Sequence, residues 1–143
     1  MYSALLISRY IIKRCNEINK SISNLKLQKL LYFVQAEFLV SKDKPCFYEK
    51  IEAWDFGPVV PEVYRKYRIY GSASIPYIKG IENGKILSDD QALINEIVDI
   101  CSKYSAAMLV EVTHAQEPWK KAYKRYQNNT ISNDSIKSFF SEY

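Results

Sequence analysis

Histidine occurs once, cysteine three times, glycine four times and proline five times among the 143 residues. Each scarcity removes a class of function. One imidazole and three scattered thiols, Cys15, Cys46 and Cys101, with no Cys-x-x-Cys pair between them, furnish neither a zinc knuckle nor a disulfide framework. Buried free thiols are expected instead, with no metal and no cofactor. There is no Gly-x-Gly-x-x-Gly, no Gly-x-x-x-x-Gly-Lys-Ser/Thr and no Gly-x-Ser-x-Gly, so a phosphate-cradling loop and a nucleophile elbow are both missing. Apolar runs are short. The first uncharged stretch ends at Arg9, with Lys13 and Arg14 close behind. Nowhere do about 18 apolar residues run together, so neither a signal-peptide core nor a membrane span is predicted. A cytoplasmic, soluble protein that is not an enzyme is the expectation.

What the chain does have is core-forming material. Hydrophobic residues make up 48% and charged residues 25%, a globular balance rather than a disordered one. A chain of this length closes a core without staples, and one domain over residues 1–143 is expected. The net charge of +4 is unevenly placed: residues 1–71 carry 12 Lys and Arg against 7 Asp and Glu, and residues 72–143 carry 8 against 9. A nucleic-acid binder would usually concentrate its charge on one helix or strip. Direct DNA contact is therefore only an alternative, in the form of a regulator of its own operon or prophage.

Eight of the nine Gly and Pro residues lie between Pro45 and Gly84, dividing the chain into helix-permissive flanks around an irregular or β-containing middle. Ala4, Ile7, Ile11, Cys15 and Ile18 make one stripe at helical period over residues 3–19. Ser23 or Asn24 caps a second helix whose stripe is Leu27, Leu30, Leu31, Val34 and Phe38, with Lys26, Lys29 and Glu37 off it. Alternation from Phe47 to Trp54 predicts a strand, and Gly57-Pro58 a turn. Pro61 opens and Gly71 closes a third helix. Asn83-Gly84 predicts a hairpin turn with Ile78 and Ile86 on paired strands. Ser88 to Gln91 has the capping-box form, ahead of a stripe of Leu93, Ile97, Ile100, Cys101 and Tyr104. Ser105 starts a further helix to about His114, Pro118 another with Trp119, Ala122 and Tyr123, and Ser132 or Asn133 a last one burying Ile136, Phe139 and Phe140. The fold class is mainly α (α+β): a compact bundle of about six helices with a small hairpin or sheet in the middle of the chain.

His114, with Glu117 three residues on, has the elements of an oriented general base. The stronger expectation is a histidine at a helix C-terminus bonding the last carbonyls, since a catalytic base needs a nucleophile or metal that the sequence does not offer. Aromatic residues reach 14%, with 12 Tyr, and most should be core. In the third helix, if Val63, Tyr67 and Tyr70 face inward, then Tyr64, Arg65 and Arg68 face out. That face is either a partner-binding site, Tyr and Arg being enriched at interface hot spots, or a solvated basic surface.

Several stretches together resemble the SocA-like antitoxin family, or Panacea domain. They are Leu25-Lys26-Leu27-Gln28-Lys29-Leu30-Leu31-Tyr32-Phe33, then Glu52-Ala53-Trp54-Asp55-Phe56-Gly57-Pro58-Val59 into Pro61 and Val63-Tyr64, the Tyr70-Gly71 stop, and Thr113-His114 with Pro118-Trp119. They occur in the family's order over about residues 23–122. The resemblance implies a mostly helical antitoxin or prophage-associated protein that neutralises a cognate toxin by direct contact. In the member that names the family it also implies delivery of that toxin to a Clp-type protease. Read physically, the fingerprint of Leu27, Gln28, Lys29, Tyr32, Trp54, Gly57, Pro58, His114 and Trp119 is architectural. Leu27, Leu30 and Leu31 fill the core, while Gln28, Lys29 and Tyr32 are placed to hold polar contacts with the turn at residues 54–58.

Overall fold

A computed structural model describes residues 1–80 and 84–142. Among these, seven α-helices surround a three-stranded antiparallel sheet: α1 (Ala4–Glu17), α2 (Asn24–Lys42), β1 (Ile51–Trp54), β2 (Gly57–Val59), α3 (Pro61–Tyr67) with a 3-10 turn over Arg68–Tyr70, α4 (Ser88–Cys101), α5 (Ala106–His114), α6 (Glu117–Ala122), β3 (Thr130–Ile131) and α7 (Asn133–Phe140). The helix starts follow the sequence signals closely. Ser3, Ser23, Ser105 and Ser132 each accept a hydrogen bond from a backbone N–H three residues on, satisfying one of the donors a helix start leaves free. Pro61 opens α3, and Gly71 ends the 3-10 turn at φ +57.

Helix α2 is the axle. It packs on α1, α3, α4, α5, α7 and β2, so most of its surface is covered and Asn24, Lys26, Gln28, Lys29 and Gln35 are buried with its apolar residues. Leu27, Leu30, Leu31 and Val34 are fully buried, each large aliphatic side chain contributing roughly 1.5–3 kcal/mol of burial. Lys29 and Lys26, expected off the stripe, are also buried. The reason is that α2 has no solvent face from Lys26 to Tyr32, and the lysines find buried carbonyls instead: Lys29 Nζ donates to Pro58 O at 3.1 Å and Lys26 Nζ to Ser102 O at 2.9 Å. Burial lowers the Lys26 pKa as well.

Elsewhere the structure departs from the expected details. Gly57 and Pro58 do not make the turn; they are in β2, paired with Trp54 and Ala53, and the turn is Asp55-Phe56. Thr130 and Ile131, for which the sequence predicts no strand, pair with Glu52 and Ile51 as β3, giving the order β2-β1-β3. The buried side of α4 is Asp90, Ile94, Val98 and Cys101, while Ile100 and Tyr104 are exposed. The capping box does not form: Leu87 is the N-cap, with no side-chain cap bond, and Asp90 instead pairs with Lys42 and accepts from Tyr2 Oη. Ile78 and Ile86 lie in no strand, and Asn83 of the expected hairpin turn falls outside the described residues. Cys15, Cys46 and Cys101 are free and buried. Burial raises the Cys46 thiol pKa and pushes those of Cys15 and Cys101 up to about 11.

Candidate functional site

Most of the fingerprint residues converge on the β1–β2 hairpin, which is held mainly by its backbone. Below it, Lys29 donates to Pro58 O and Gln28 Oε1 accepts from Val60 N at 2.9 Å. Tyr32 is directed elsewhere, its hydroxyl donating to Gln116 Oε1 at 2.8 Å, and burial raises its pKa. From the side come three stacked rings of α5, α6 and the residue after it. His114 and Trp119 stack at 4.1 Å and 25°, Trp119 and Tyr123 at 4.5 Å and 18°. Each grips the turn: Trp119 Nε1 donates to Trp54 O at 2.8 Å, Tyr123 Oη to Asp55 Oδ1 at 2.5 Å, and His114 Nε2 lies 2.8 Å from Asp55 O. A carbonyl only accepts, so Nε2 carries the proton. His114 therefore ends α5 without bonding that helix's own last carbonyls. It ties the helix to a turn 59 residues away in sequence.

Gly57 is the close approach that makes this possible. At φ +106, a Cβ there would stand 2.7 Å from Lys29 Cε and 2.9 Å from Thr113 Oγ1. The glycine thus lets β2 lie against both α2 and α5. With no solvent exposure, the Lys29 ammonium has its pKa pushed down to about 7 by burial, because an apolar interior penalises the charged form. Fingerprint chemistry is here spent on holding a hairpin still.

The tip of that hairpin is exposed. Phe56 is 66% exposed and Tyr126, on the neighbouring connection, 86%. Together with Trp54, Tyr64, Arg68 and Asn128 they border an open groove of about 810 Å³. Of the three partner-binding candidates, two meet here. Tyr64 is half-buried, its ring edge-on to Trp54 at 5.0 Å, and Arg68 is exposed. Arg65 is also exposed but lines a separate groove with Tyr48, Glu52 and Glu62. Arg125 lies over the Tyr126 ring at 4.9 Å, adding a second cation near the groove. Periodicity does not single out Phe56 or Tyr126. An aromatic between Asp and Gly in a tight turn is the signal that finds Phe56, since such a position has no core to enter. Among the described residues, no group of three or more His, Cys, Asp or Glu could hold a metal ion, and no helix is long and apolar enough to cross a membrane.

Residues 27–120, which contain the whole fingerprint from Leu27 to Trp119, match the family described as antitoxin SocA-like, Panacea domain. The chain is also 35% identical over 127 residues to antitoxin SocA of Caulobacter vibrioides (strain NA1000 / CB15N), covering 81% of this chain and 68% of that protein. No solved structure matches. With its fingerprint assembled around one hairpin, and with that relative, the chain belongs to the SocA-like antitoxin family.

Proposed function

We propose that this chain is an antitoxin that neutralises a cognate toxin by direct protein–protein contact, docking it on the groove bordered by Trp54, Phe56, Tyr64, Arg68 and Tyr126. One observation carries the reading: a largely exposed phenylalanine stands at the tip of a hairpin whose turn is already bonded to His114 and Tyr123 and whose strands are bonded to Lys29 and Trp119. An aromatic anchor on a preformed support loses little freedom on binding, and that economy separates a hot spot from an ordinary surface side chain. Tyr64 and Arg68 supply the amphipathic and charged contacts that such centres favour. The relative named antitoxin SocA supports the role, and its name leaves the mode of neutralisation open.

The test is co-expression. The toxin, sought first in the reading frame adjacent to this gene, should arrest growth alone. It should be silenced, and recovered in a stable complex, when this chain is present. Normal growth on expression of that neighbour alone, or silencing without a complex, would count against contact neutralisation.

A further inference from the structure

A second groove, of about 820 Å³, opens between α2, α4, α5 and α7 and shares no lining residue with the first. Its walls are apolar and left in water. Helix α4 turns Ile94 and Val98 into the core yet also presents Ile97, Ile100 and, beyond its end, Tyr104. Helix α5 buries Leu109 yet presents Met108 and Val112, 50% and 48% exposed. A helix that is apolar on two faces has a second face awaiting cover. Among the described residues, the charged side chains lining the groove are two acids, Glu37 and Glu111, with no Lys or Arg.

We propose that this groove receives an amphipathic helix of a partner polypeptide, with an apolar stripe at positions i, i+4 and i+7 flanked by Lys or Arg. Ile97 and Ile100 on α4, and Met108 and Val112 on α5, have the spacing of helix ridges, between which the ridge of another helix packs, and Tyr104 extends the α4 side beyond the helix's end. The nine residues of α5 offer a wall about 14 Å long, enough for such a stripe. The acids select basic flanks, because opposite charge at the rim steers and discriminates. A second copy fits poorly. The described helices already spend their main apolar faces inside the fold, and a two-fold pairing of this groove would bring its acids toward the same acids. The inference goes beyond toxin docking at the Phe56 groove: each groove can be occupied while the other is.

The test uses the full chain and two fluorescein-labelled helical peptides of about 16 residues sharing one Leu/Ile stripe, one flanked by Lys and one by Glu. Fluorescence anisotropy should show the Lys peptide binding at least about tenfold more tightly than the Glu peptide. Val112→Lys, at a half-exposed site and expected to keep the wild-type circular dichroism spectrum, should abolish binding, and Glu37→Lys with Glu111→Lys should reverse the preference. Phe56→Ala should leave peptide affinity unchanged, so a failure of the first groove as toxin site and a failure here are read separately. Equal affinity for both peptides, no binding of either, or indifference to Val112→Lys overturns the proposal. So does a dimer in sedimentation that Val112→Lys dissolves, which would give the face to a second copy.

Discussion

The Lys29 ammonium meets the Pro58 carbonyl at 3.1 Å from a side chain with no solvent exposure. A potentially charged group thus joins the central helix to the strand beneath the exposed hairpin tip. Removing it from water is costly, and the protein lowers that cost by releasing the proton near neutrality.

That release makes stability depend on pH in a predictable direction. Burial holds the folded Lys29 at about 7 against an ordinary 10.5. Between those values the unfolded chain binds the extra proton, so stability should rise with pH, by up to about 1.4 kcal/mol per unit. This contribution is complete above 10.5 and is lost as pH falls through 7. The three thiols act oppositely: burial raises them from 9.0, so their contribution is present below 9 and fades above it. Urea unfolding at pH 6.5, 7.5 and 8.5 should therefore show wild type gaining on Lys29→Met in its pH slope. Parallel slopes would mean that the lysine keeps its proton in the fold.

Gly57→Ala should destabilise the chain by about 2 kcal/mol or more. Backbone strain at a positive φ contributes 1–3 kcal/mol by itself, and the added methyl would overlap Lys29 Cε and Thr113 Oγ1, at 2.7 and 2.9 Å. The urea midpoint should fall, and toxin affinity should fall with it as the hairpin tip loses its seat. An unchanged midpoint would mean that α2 and β2 part more easily than their buried contacts imply.

How far such features can be read in advance depends on which force sets them. Helix starts at Ser23, Ser105 and Ser132 were legible because a cap is a local bond between neighbours in sequence. The inward face of α4 was not. Apolar residues occupy both of its sides, and the inner one includes Asp90, a charge whose burial depends on Lys42 and Tyr2 from distant segments. β3 escaped for the same reason, since two residues carry no period and Thr130-Ile131 becomes a strand only by meeting β1. At the candidate site, Tyr64 and Arg68 follow from helical spacing, whereas Phe56 and Tyr126 join them only through the tertiary path of two turns.

Asp90 gives a prediction at acid pH. Burial pushes its carboxyl upward, but hydrogen bonds from Lys42 and Tyr2 and the Lys42 charge outweigh that and hold it below 3.8. Its stabilisation is therefore complete above that value and lost as pH falls through the lower, folded one. Asp90→Asn should cost roughly 1–3 kcal/mol at neutral pH. The gap from wild type should close as pH drops below 3.8, while Arg14–Asp99, bonded at 2.9 and 2.6 Å, is common to both proteins and cancels from the gap. A gap independent of pH would assign the effect to packing.

The two candidate faces around α3 predict opposite rankings of the same variants. If the Phe56 groove docks the toxin, Phe56→Ala should weaken the complex by at least about 2 kcal/mol, the scale of a hot-spot aromatic, with no change in thermal midpoint because the ring is 66% exposed. Arg68→Glu should weaken it several-fold, more at low salt than at high, as a rim charge does. Arg65→Glu should matter least, since Arg65 lines a separate groove with Glu52 and Glu62. Titration calorimetry of the three variants against the toxin decides the order. If Arg65→Glu is the damaging change and Phe56→Ala is silent, the rigid hairpin is scaffold alone and the contact lies on the other side of the helix.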